Sequence, residues 1–159
     1  METFIRLIAD GAVIPVILIG VYALVYKIPA GHRYEAYCRI LMAGLTAYLV
    51  AKFMATLYQP TGLRPFEIMG VAPGAAYLNN PGFPSDHALL VGAITFAVWF
   101  ETRSVVLTRI LVVLVVLVCV GRVLALVHTP LDVIGGLFAA AVGAGWYLTA
   151  PLAKHRKTT

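Results

Sequence analysis

The sequence is poor in charge and in cysteine. Charged side chains make up 12% of its 159 residues, whereas a soluble domain has about 25%. The two cysteines, Cys38 and Cys119, fall in separate apolar segments and lack the spacing of metal ligands. No carboxylate cluster suited to Mg²⁺ is visible, and no internal repeat is found. These absences argue against an ordinary soluble domain, a disulfide scaffold and a metal centre.

The basic residues do not predict nucleic-acid binding, although the formal net charge is +5. The twelve Lys and Arg are scattered between apolar runs, and no basic stretch is long enough to follow a phosphate backbone. Basic residues that flank membrane spans are the simpler explanation.

The apolar content indicates a membrane protein. Hydrophobic residues make up 61% of the chain, against about 45–50% in soluble domains, and a membrane span needs roughly 20 of them in succession. The pattern predicts one domain over 1–159, an all-α integral membrane helical bundle with about five transmembrane helices. The predicted spans are 4–26, 35–58, 87–103, 105–127 and 131–152, the first kinked at Pro15 and the third short.

The distribution of basic residues predicts the orientation of the bundle. Eight of the twelve Lys and Arg fall on one side of the five-span arrangement and four on the other. Because the more basic side tends to be cytoplasmic, we expect a cytoplasmic C-terminus and an outward N-terminus, in a bacterium in the cytoplasmic membrane. The long connection 59–86 then lies outside, where its apolar residues are suited to gripping a lipid tail.

Seven ionisable residues inside or beside the predicted spans carry the functional prediction, because such groups are costly in a membrane. All seven fall on the outward side of the predicted topology, and they come from three separate parts of the chain. Their positive charge next to lipid needs a compensating anion, and a phosphate group is the natural candidate. The seven are Lys52, Arg64, Asp86, His87, Arg122, His128 and Asp132.

The segment around His128 has two interpretations. With Thr129 as N-cap, Pro130 at the first position and Asp132 at the third, it simply begins the last helix. That interpretation accounts for Asp132 but not for His128 or Arg122. Since Asp132 follows His128 by four residues, an imidazole–carboxylate hydrogen bond is also feasible, and it would fix the tautomer of the ring.

The segment before the third span also combines a structural and a functional interpretation. Ser85 or Asp86 can cap the third helix, and a helix N-terminus attracts an anion. His87, in the first turn, would then stand beside a bound phosphate, where a histidine can protonate the departing oxygen as a general acid.

These segments together resemble the type 2 phosphatidic acid phosphatase family, membrane lipid phosphatases related to vanadium haloperoxidases. The family carries three motifs in order, KxxxxxxRP, PSGH and SRxxxxxHxxxD. Arg122, His128 and Asp132 match the third motif, with Gly121 in place of serine. Residues 84–87 read PSDH, a form similar to that of bacterial undecaprenyl-diphosphate phosphatases of this family.

The first motif departs from the family pattern. Arg64 and Pro65 match it, but Leu57 occupies the lysine position seven residues before Arg64, and Lys52 lies twelve before. Either Lys52 reaches the phosphate across a five-residue insertion, or the lysine role is lost. We favour the insertion, because a lysine inside a span otherwise lacks a reason. The five predicted spans are one fewer than the usual six of the family, and the missing one would precede the motifs.

The resemblance implies metal-independent hydrolysis of a lipid phosphate or diphosphate, with no cofactor and with undecaprenyl diphosphate as the preferred substrate. His128 would attack phosphorus and form a phosphohistidine, Asp132 would orient it, and His87 would protonate the leaving oxygen. The implied phosphate-binding residues are Arg122, Arg64, Lys52 and Ser85. Asp86 has no clear chemical role in this scheme.

Other substrates and another class of protein stay open. Phosphatidylglycerol phosphate or phosphatidic acid would suit the same chemistry. A non-catalytic lipid-binding or transporter-like protein would instead place ionisable groups near the midplanes of several spans, and here only Lys52 is appreciably inside one. A purely structural bundle accounts for small residues of the last span, such as Gly135 and Gly136, but not for the outward cations.

Overall fold

The computed structural model describes residues 2–58, 63–78 and 82–149. Regular structure in these ranges is helical, without a strand, so the predicted all-α class is confirmed. A π-helical turn, Leu7–Gly11, precedes the second α-helix, and 3-10 turns at Ala30–His32 and Ala144–Thr149 precede the third and follow the last. The α-helices are α1 (Glu2–Arg6), α2 (Val13–Tyr26), α3 (Arg33–Leu57), α4 (Pro65–Ile68), α5 (Asp86–Thr102), α6 (Val105–Leu124) and α7 (Pro130–Gly143).

Four helical segments of the described chain are long and apolar enough to cross a membrane: Thr3–Tyr26, Ala30–Leu57, Val105–Leu124 and Pro130–Thr149. The helix α5 has 17 residues. Its length is therefore about 26 Å, slightly less than the roughly 30 Å of hydrocarbon in a bilayer. The predicted set of about five spans corresponds to these four helices and to α5, the span that was predicted to be short.

The short helix α5 lies at the centre of the bundle. It packs against α2, α3, α6 and α7, and its Val98 belongs to a core cluster with Val16 of α2 and Val118 of α6. The outer face of α3 is apolar as well, with large exposed side chains at four-residue spacing, namely Leu41, Leu45, Leu49 and Phe53. A helix that is apolar on its outer face as well as its inner face is typical of a membrane span.

The first span changes pitch just before the position at which the sequence predicted a kink. Pro15 has no backbone N–H, and the ring of a proline in a helix collides with the carbonyl four residues earlier, here that of Gly11. The π-helical turn ends at Gly11. The irregularity therefore precedes the proline, and it brings Asp10 to the surface of α6, as described below.

The helix α6 ends at Leu124, three residues before the predicted limit of 127. The sequence stays apolar through Val127, but the backbone carbonyls after Leu124 form hydrogen bonds with distant segments of the chain. The carbonyl of Ala125 accepts from the N–H of Gly74 at 3.0 Å, and that of Leu126 from the N–H of Phe66, also at 3.0 Å. Leu126 has a positive φ of 57°, which turns the chain towards α7. In the last span, α-helix gives way to a 3-10 turn at Ala144, and 150–152 lie outside the described residues.

The bundle has two ends with different contents. The site end contains the ends of α3 and α6, the beginnings of α5 and α7, the π-helical turn and the described parts of the long connection. At the opposite end, the first turns of α3 approach the last turn of α5, where Arg39 pairs with Glu101. The seven ionisable residues singled out in the sequence all belong to elements of the site end.

Candidate active site

The beginning of α7 has the predicted helix cap and also brings Asp132 close to the imidazole of His128. The Thr129 hydroxyl accepts from the Asp132 N–H at 3.2 Å, and Asp132 Oδ2 accepts from the Thr129 N–H at 2.7 Å, which together make a capping box. The same Oδ2 lies 3.5 Å from His128 Nδ1. Asp132 therefore begins the helix and also faces the imidazole.

His128 is 5% exposed. Its Nδ1 faces Asp132, so its other nitrogen, Nε2, points away from the carboxylate. The separation of 3.5 Å is longer than a well-formed hydrogen bond, and catalytic hydrogen bonds often tighten only when substrate binds. Burial lowers the pKa of His128 from its ordinary value, and nearby Arg122 and Arg64 lower it further. At neutral pH the ring is therefore uncharged and carries a lone pair.

Arg64 is held beside His128 by the backbone of two other segments. Its Nη1 donates to the carbonyl of Val127 at 2.6 Å, and its Nη2 donates to that of Leu78 at 2.9 Å. The guanidinium also lies 5.1 Å from the centre of the Tyr77 ring. Arg64 is the N-cap of α4, and its backbone N–H donates to Glu67 Oε2 at 2.6 Å. These contacts fix the guanidinium in one orientation.

The N-terminus of α5 is hydrogen-bonded to the start of α7. Ser85 is fully buried and caps α5, with its hydroxyl accepting from the Ala88 N–H at 3.5 Å. Its own N–H donates to the carbonyl of Asp132 at 2.9 Å. Gly136 allows this approach, because a Cβ there would collide with the Ser85 carbonyl, and a Cβ at Gly135 would lie 2.6 Å from the Phe83 ring. The predicted small-residue packing of the last span thus fixes where His87 stands.

Arg122, in the last turn of α6, is the most deeply buried charged residue among those described, with 1% exposure. Its Nη1 donates to Asp10 Oδ1 at 2.8 Å. Its Nε has no hydrogen-bond partner within the described ranges. The guanidinium is thus engaged on one side only.

These side chains converge on a small cavity. Arg64, Asp86, His87, Arg122 and His128 line it, and its volume of about 20 Å³ is enough for roughly one water molecule. The backbone also approaches closely, since a Cβ on Gly82 would lie 3.4 Å from Asp132 Oδ2 and 3.6 Å from Arg64 Nη1. Ser85 and Asp132 lie behind the lining residues. Across 2–58, 63–78 and 82–149, no cluster of three His, Cys, Asp or Glu could hold a metal ion.

Lys52 lies outside the cavity, on a groove between α3 and α5 of about 510 Å³. The side chain is exposed, and its Nζ is 5.1 Å from the centre of the Tyr48 ring. The groove adjoins the cavity, because Leu78 and Asp86 line both. Its wall is otherwise apolar, with Leu89 and Leu90 of α5. Lys52 is therefore a neighbour of the site and not part of its lining.

The sequence matches the PAP2 superfamily over residues 34–156, a stretch that contains every residue of the three motifs. The chain belongs to the PAP2 superfamily. The resemblance drawn from the motifs is thereby confirmed. An Escherichia coli (strain K12) protein named "Putative undecaprenyl-diphosphatase YbjG" is 41% identical over 66 residues, which cover 40% of this chain and 32% of that protein. The match thus spans about a third of that relative's length. No solved structure matches the chain.

One ionisable residue in contact with the candidate site was not predicted from the sequence of this PAP2 superfamily member. Asp10 lies in the first span, outside the stretch that matches the superfamily, and it forms the ion pair with Arg122. The rule that identified the other seven residues, that an ionisable group in an apolar span is a functional candidate, applies equally to Asp10. The missing information was its partner, which is 112 positions away in the chain.

Proposed function

We propose that this protein is a membrane phosphatase that removes a phosphate group from a lipid phosphate or diphosphate through a phosphohistidine. One observation carries the proposal: two arginines and two histidines, from three parts of the chain, line one cavity with a carboxylate behind one of the histidines. The positive charge and the hydrogen-bond donors of this lining complement a phosphate. Phosphoryl transfer depends mainly on positioning and on neutralising charge on the phosphoryl oxygens, and fixed guanidinium groups supply both.

In the first step, His128 Nε2 attacks phosphorus, and the bond between phosphorus and the lipid oxygen breaks. Asp132 holds the opposite nitrogen and stabilises the positive charge that develops on the imidazole. Arg64 and Arg122 bind the phosphoryl oxygens, and Ser85 supports the site through the N-terminus of α5. His87 donates its proton to the departing oxygen. The negative charge of the bound phosphate favours the protonated form of His87 that this step needs.

In the second step, water attacks the phosphohistidine, and the bond between nitrogen and phosphorus breaks. His87, which lost its proton in the first step, now accepts one from the water. Inorganic phosphate leaves, and both histidines return to their starting states. The scheme needs no metal ion and no cofactor.

The groove beside the cavity suits the lipid part of the substrate. Its apolar wall adjoins the cavity at Leu78 and Asp86, so a tail can run along α3 and α5 while the phosphate lies between the arginines. In a diphosphate, the inner phosphate lies between the cleaved bond and the tail, hence where the cavity meets the groove. Lys52 is the basic residue among the described groove-lining residues, and we assign it to that inner phosphate.

A polyprenyl diphosphate, specifically undecaprenyl diphosphate, is the proposed substrate, and undecaprenyl phosphate is the product. Three observations support it: the PSDH form of the second motif, the name of the E. coli relative, and Lys52 beside the cavity. We also propose that the site end faces outward from the cytoplasmic membrane of a bacterium and that the C-terminus is cytoplasmic; the positive-inside pattern of the basic residues supports this orientation.

The decisive experiment measures phosphate release by the purified protein in detergent, with EDTA present. The panel contains undecaprenyl diphosphate, undecaprenyl phosphate, phosphatidylglycerol phosphate and phosphatidic acid, and the His128→Ala variant runs in parallel. We expect EDTA-resistant hydrolysis that is fastest on the diphosphate and absent in the variant. A folded protein that is silent across the panel would refute the enzymatic proposal and favour a non-catalytic lipid-binding protein. Faster turnover of another lipid would refute the substrate alone.

A further inference from the structure

Asp10 connects the N-terminal segment to two parts of the proposed phosphate site. Its Oδ1 accepts from Arg122 Nη1 at 2.8 Å, and its Oδ2 accepts from the backbone N–H of Ala76 at 2.9 Å. Both carboxylate oxygens are thus engaged, one by the buried arginine and one by the long connection. The carboxylate can neither rotate nor withdraw without breaking one of these bonds.

The contact depends on Gly121, where the family motif has serine. A Cβ at this position would lie 2.8 Å from the backbone nitrogen of Ala9 and 2.9 Å from its Cα. Real side chains do not make backbone contacts this short, so a serine would force the π-helical turn away from α6. The turn carries Asp10, and therefore the glycine at 121 and the acid at 10 form one arrangement.

The bond to Ala76 extends the arrangement to the second arginine. Ala76 precedes Tyr77, whose ring faces the Arg64 guanidinium at 5.1 Å, and Leu78, whose carbonyl accepts from Arg64 Nη2 at 2.9 Å. Asp10 therefore holds the segment that orients Arg64 while it binds Arg122 directly.

We infer that Asp10 is a positioning residue for the phosphate site: it is the counter-ion of the buried Arg122 guanidinium and keeps it aimed at the cavity. A buried arginine without a counter-ion is strongly unfavourable. An arginine that is paired through a single nitrogen already has its counter-ion. Its other N–H donors stay available to a phosphate. The N-terminal segment, which lies outside the superfamily match, thus completes the site. This inference rests on the proposed function in that it assigns Arg122 to the phosphate.

The test compares Asp10→Ala, Arg122→Ala and the double variant with the wild type, in detergent. Two quantities are measured: kcat/KM on undecaprenyl diphosphate, and the rise in Tm caused by orthovanadate or inorganic phosphate, which reports binding without turnover. We expect Asp10→Ala to weaken anion binding and to lower kcat/KM by about ten- to a hundredfold. Removing a residue that orients a metal ligand has an effect of this size in other proteins. In the Arg122→Ala background the same change should cost less, because only the effect through Ala76 on Arg64 remains.

Two further variants separate positioning from general stability. Gly121→Ser should reproduce the losses of Asp10→Ala, because it displaces the π-helical turn, whereas Asp10→Glu should retain part of the anion binding. Glu101→Ala breaks the ion pair at the opposite end of the bundle, and it should lower Tm without changing the vanadate response.

The outcomes separate the inference from the proposed function. Equal vanadate binding and kcat/KM in wild type and Asp10→Ala would overturn the inference and leave the function standing. Tighter anion binding in Asp10→Ala would also overturn it, since Asp10 would then compete with phosphate. A wild type that binds vanadate but hydrolyses none of the lipids would overturn the function, and the binding data would still decide the role of Asp10. A wild type that does neither would overturn both.

Discussion

The two ends of the bundle each contain an arginine–carboxylate pair, and the pairs differ in how far the arginine is satisfied. At the opposite end, Arg39 Nε and Nη2 donate to the two carboxylate oxygens of Glu101, both at 2.8 Å. At the site end, Arg122 gives a single bond to Asp10, and its buried Nε has no partner among the described residues. The first pair is complete in itself, whereas the second leaves donors for another anion.

Exposure differs in the same sense. The arginine side chain of the opposite end is 16% exposed and its glutamate 6%, while at the site end the arginine is 1% exposed and the aspartate 26%. A bidentate pair between α3 and α5 fastens two helices. A deeply buried guanidinium that lines a cavity, held by a carboxylate nearer the surface, is suited to the proposed binding of an anion. The comparison shows that the role of a buried ion pair in this bundle depends on how many N–H donors of the arginine are left without a partner.

The largest effect should come from removing the proposed nucleophile at the site end. His128→Ala is expected to reduce lipid phosphate hydrolysis by at least about a thousandfold, with little change in Tm, because the ring contributes chemistry and not a core contact between helices. Phosphate release and thermal unfolding of the same sample would check this. His32→Ala, an exposed histidine at the opposite end, is the matched control and should hydrolyse normally. Substantial turnover in His128→Ala would refute its role as nucleophile.

The next largest effect distinguishes Arg122 from Arg39. Arg122→Ala should lower kcat/KM by about 10²–10³-fold, the range for losing one preorganised group that stabilises transition-state charge. Arg39→Ala should instead lower Tm, because it leaves Glu101 buried without its partner, while the folded fraction keeps its activity. Kinetics and thermal unfolding of both variants would be measured together. If Arg39→Ala lost activity at unchanged Tm, the assignment of the two ends would be reversed.

A smaller effect is expected from Lys52. Because it lies on the groove and not in the cavity lining, Lys52→Ala should cost about tenfold in kcat/KM on a lipid diphosphate, or about 1.4 kcal/mol, and less on a monophosphate. Lys27→Ala is its control at the opposite end, since Lys27 lies over the Tyr22 ring as Lys52 lies over Tyr48. A loss equal to that of Arg122→Ala would mean that Lys52 binds the cleaved phosphate.

The smallest effect is a shift in pH dependence. Burial lowers the pKa of His128, whereas the carboxylate of Asp132 opposes this by stabilising the imidazolium. Asp132→Asn removes that opposition, so the pKa of His128 should fall further and the acid limb of kcat/KM should move to lower pH, beneath a reduced maximum. The pH profiles of the wild type and Asp132→Asn are measured on the same substrate, so that ionisation of the lipid affects both profiles equally. A shift towards higher pH would contradict the proposed pairing.

The spacing of residues along the sequence predicted the local part of the site. His128 and Asp132 are four positions apart across a helix start, so the sequence alone could indicate that they meet. The limit of α6 was predicted less well, because hydropathy continues through Val127 while the helix ends at Leu124. Hydrogen bonds from Phe66 and Gly74 occupy this turn, and hydropathy contains no information about such distant partners.

The pairing of Asp10 with Arg122 could not be predicted for a similar reason. It depends on the approach of the π-helical turn to α6 over Gly121, and the departure from serine at 121 has no interpretation until both backbones are seen together. Lys52 illustrates the opposite case. Its distance from Arg64 along the sequence left two alternatives, that Lys52 reaches the phosphate or that the lysine role is lost. The structure shows that Lys52 lies on the wall of the groove.

The contact of Gly135 and Gly136 with the segment 83–85 has a practical consequence for changing the substrate range. Gly136 packs directly on the backbone of Ser85, and Gly135 packs on the Phe83 ring, so neither position has room for a larger side chain. A mutant library meant to accept shorter or bulkier lipid tails should therefore randomise Tyr48, Leu89 and Leu90 along the groove. The two glycines should be left unchanged, because any larger residue there would separate α5 from α7 and disperse the histidines.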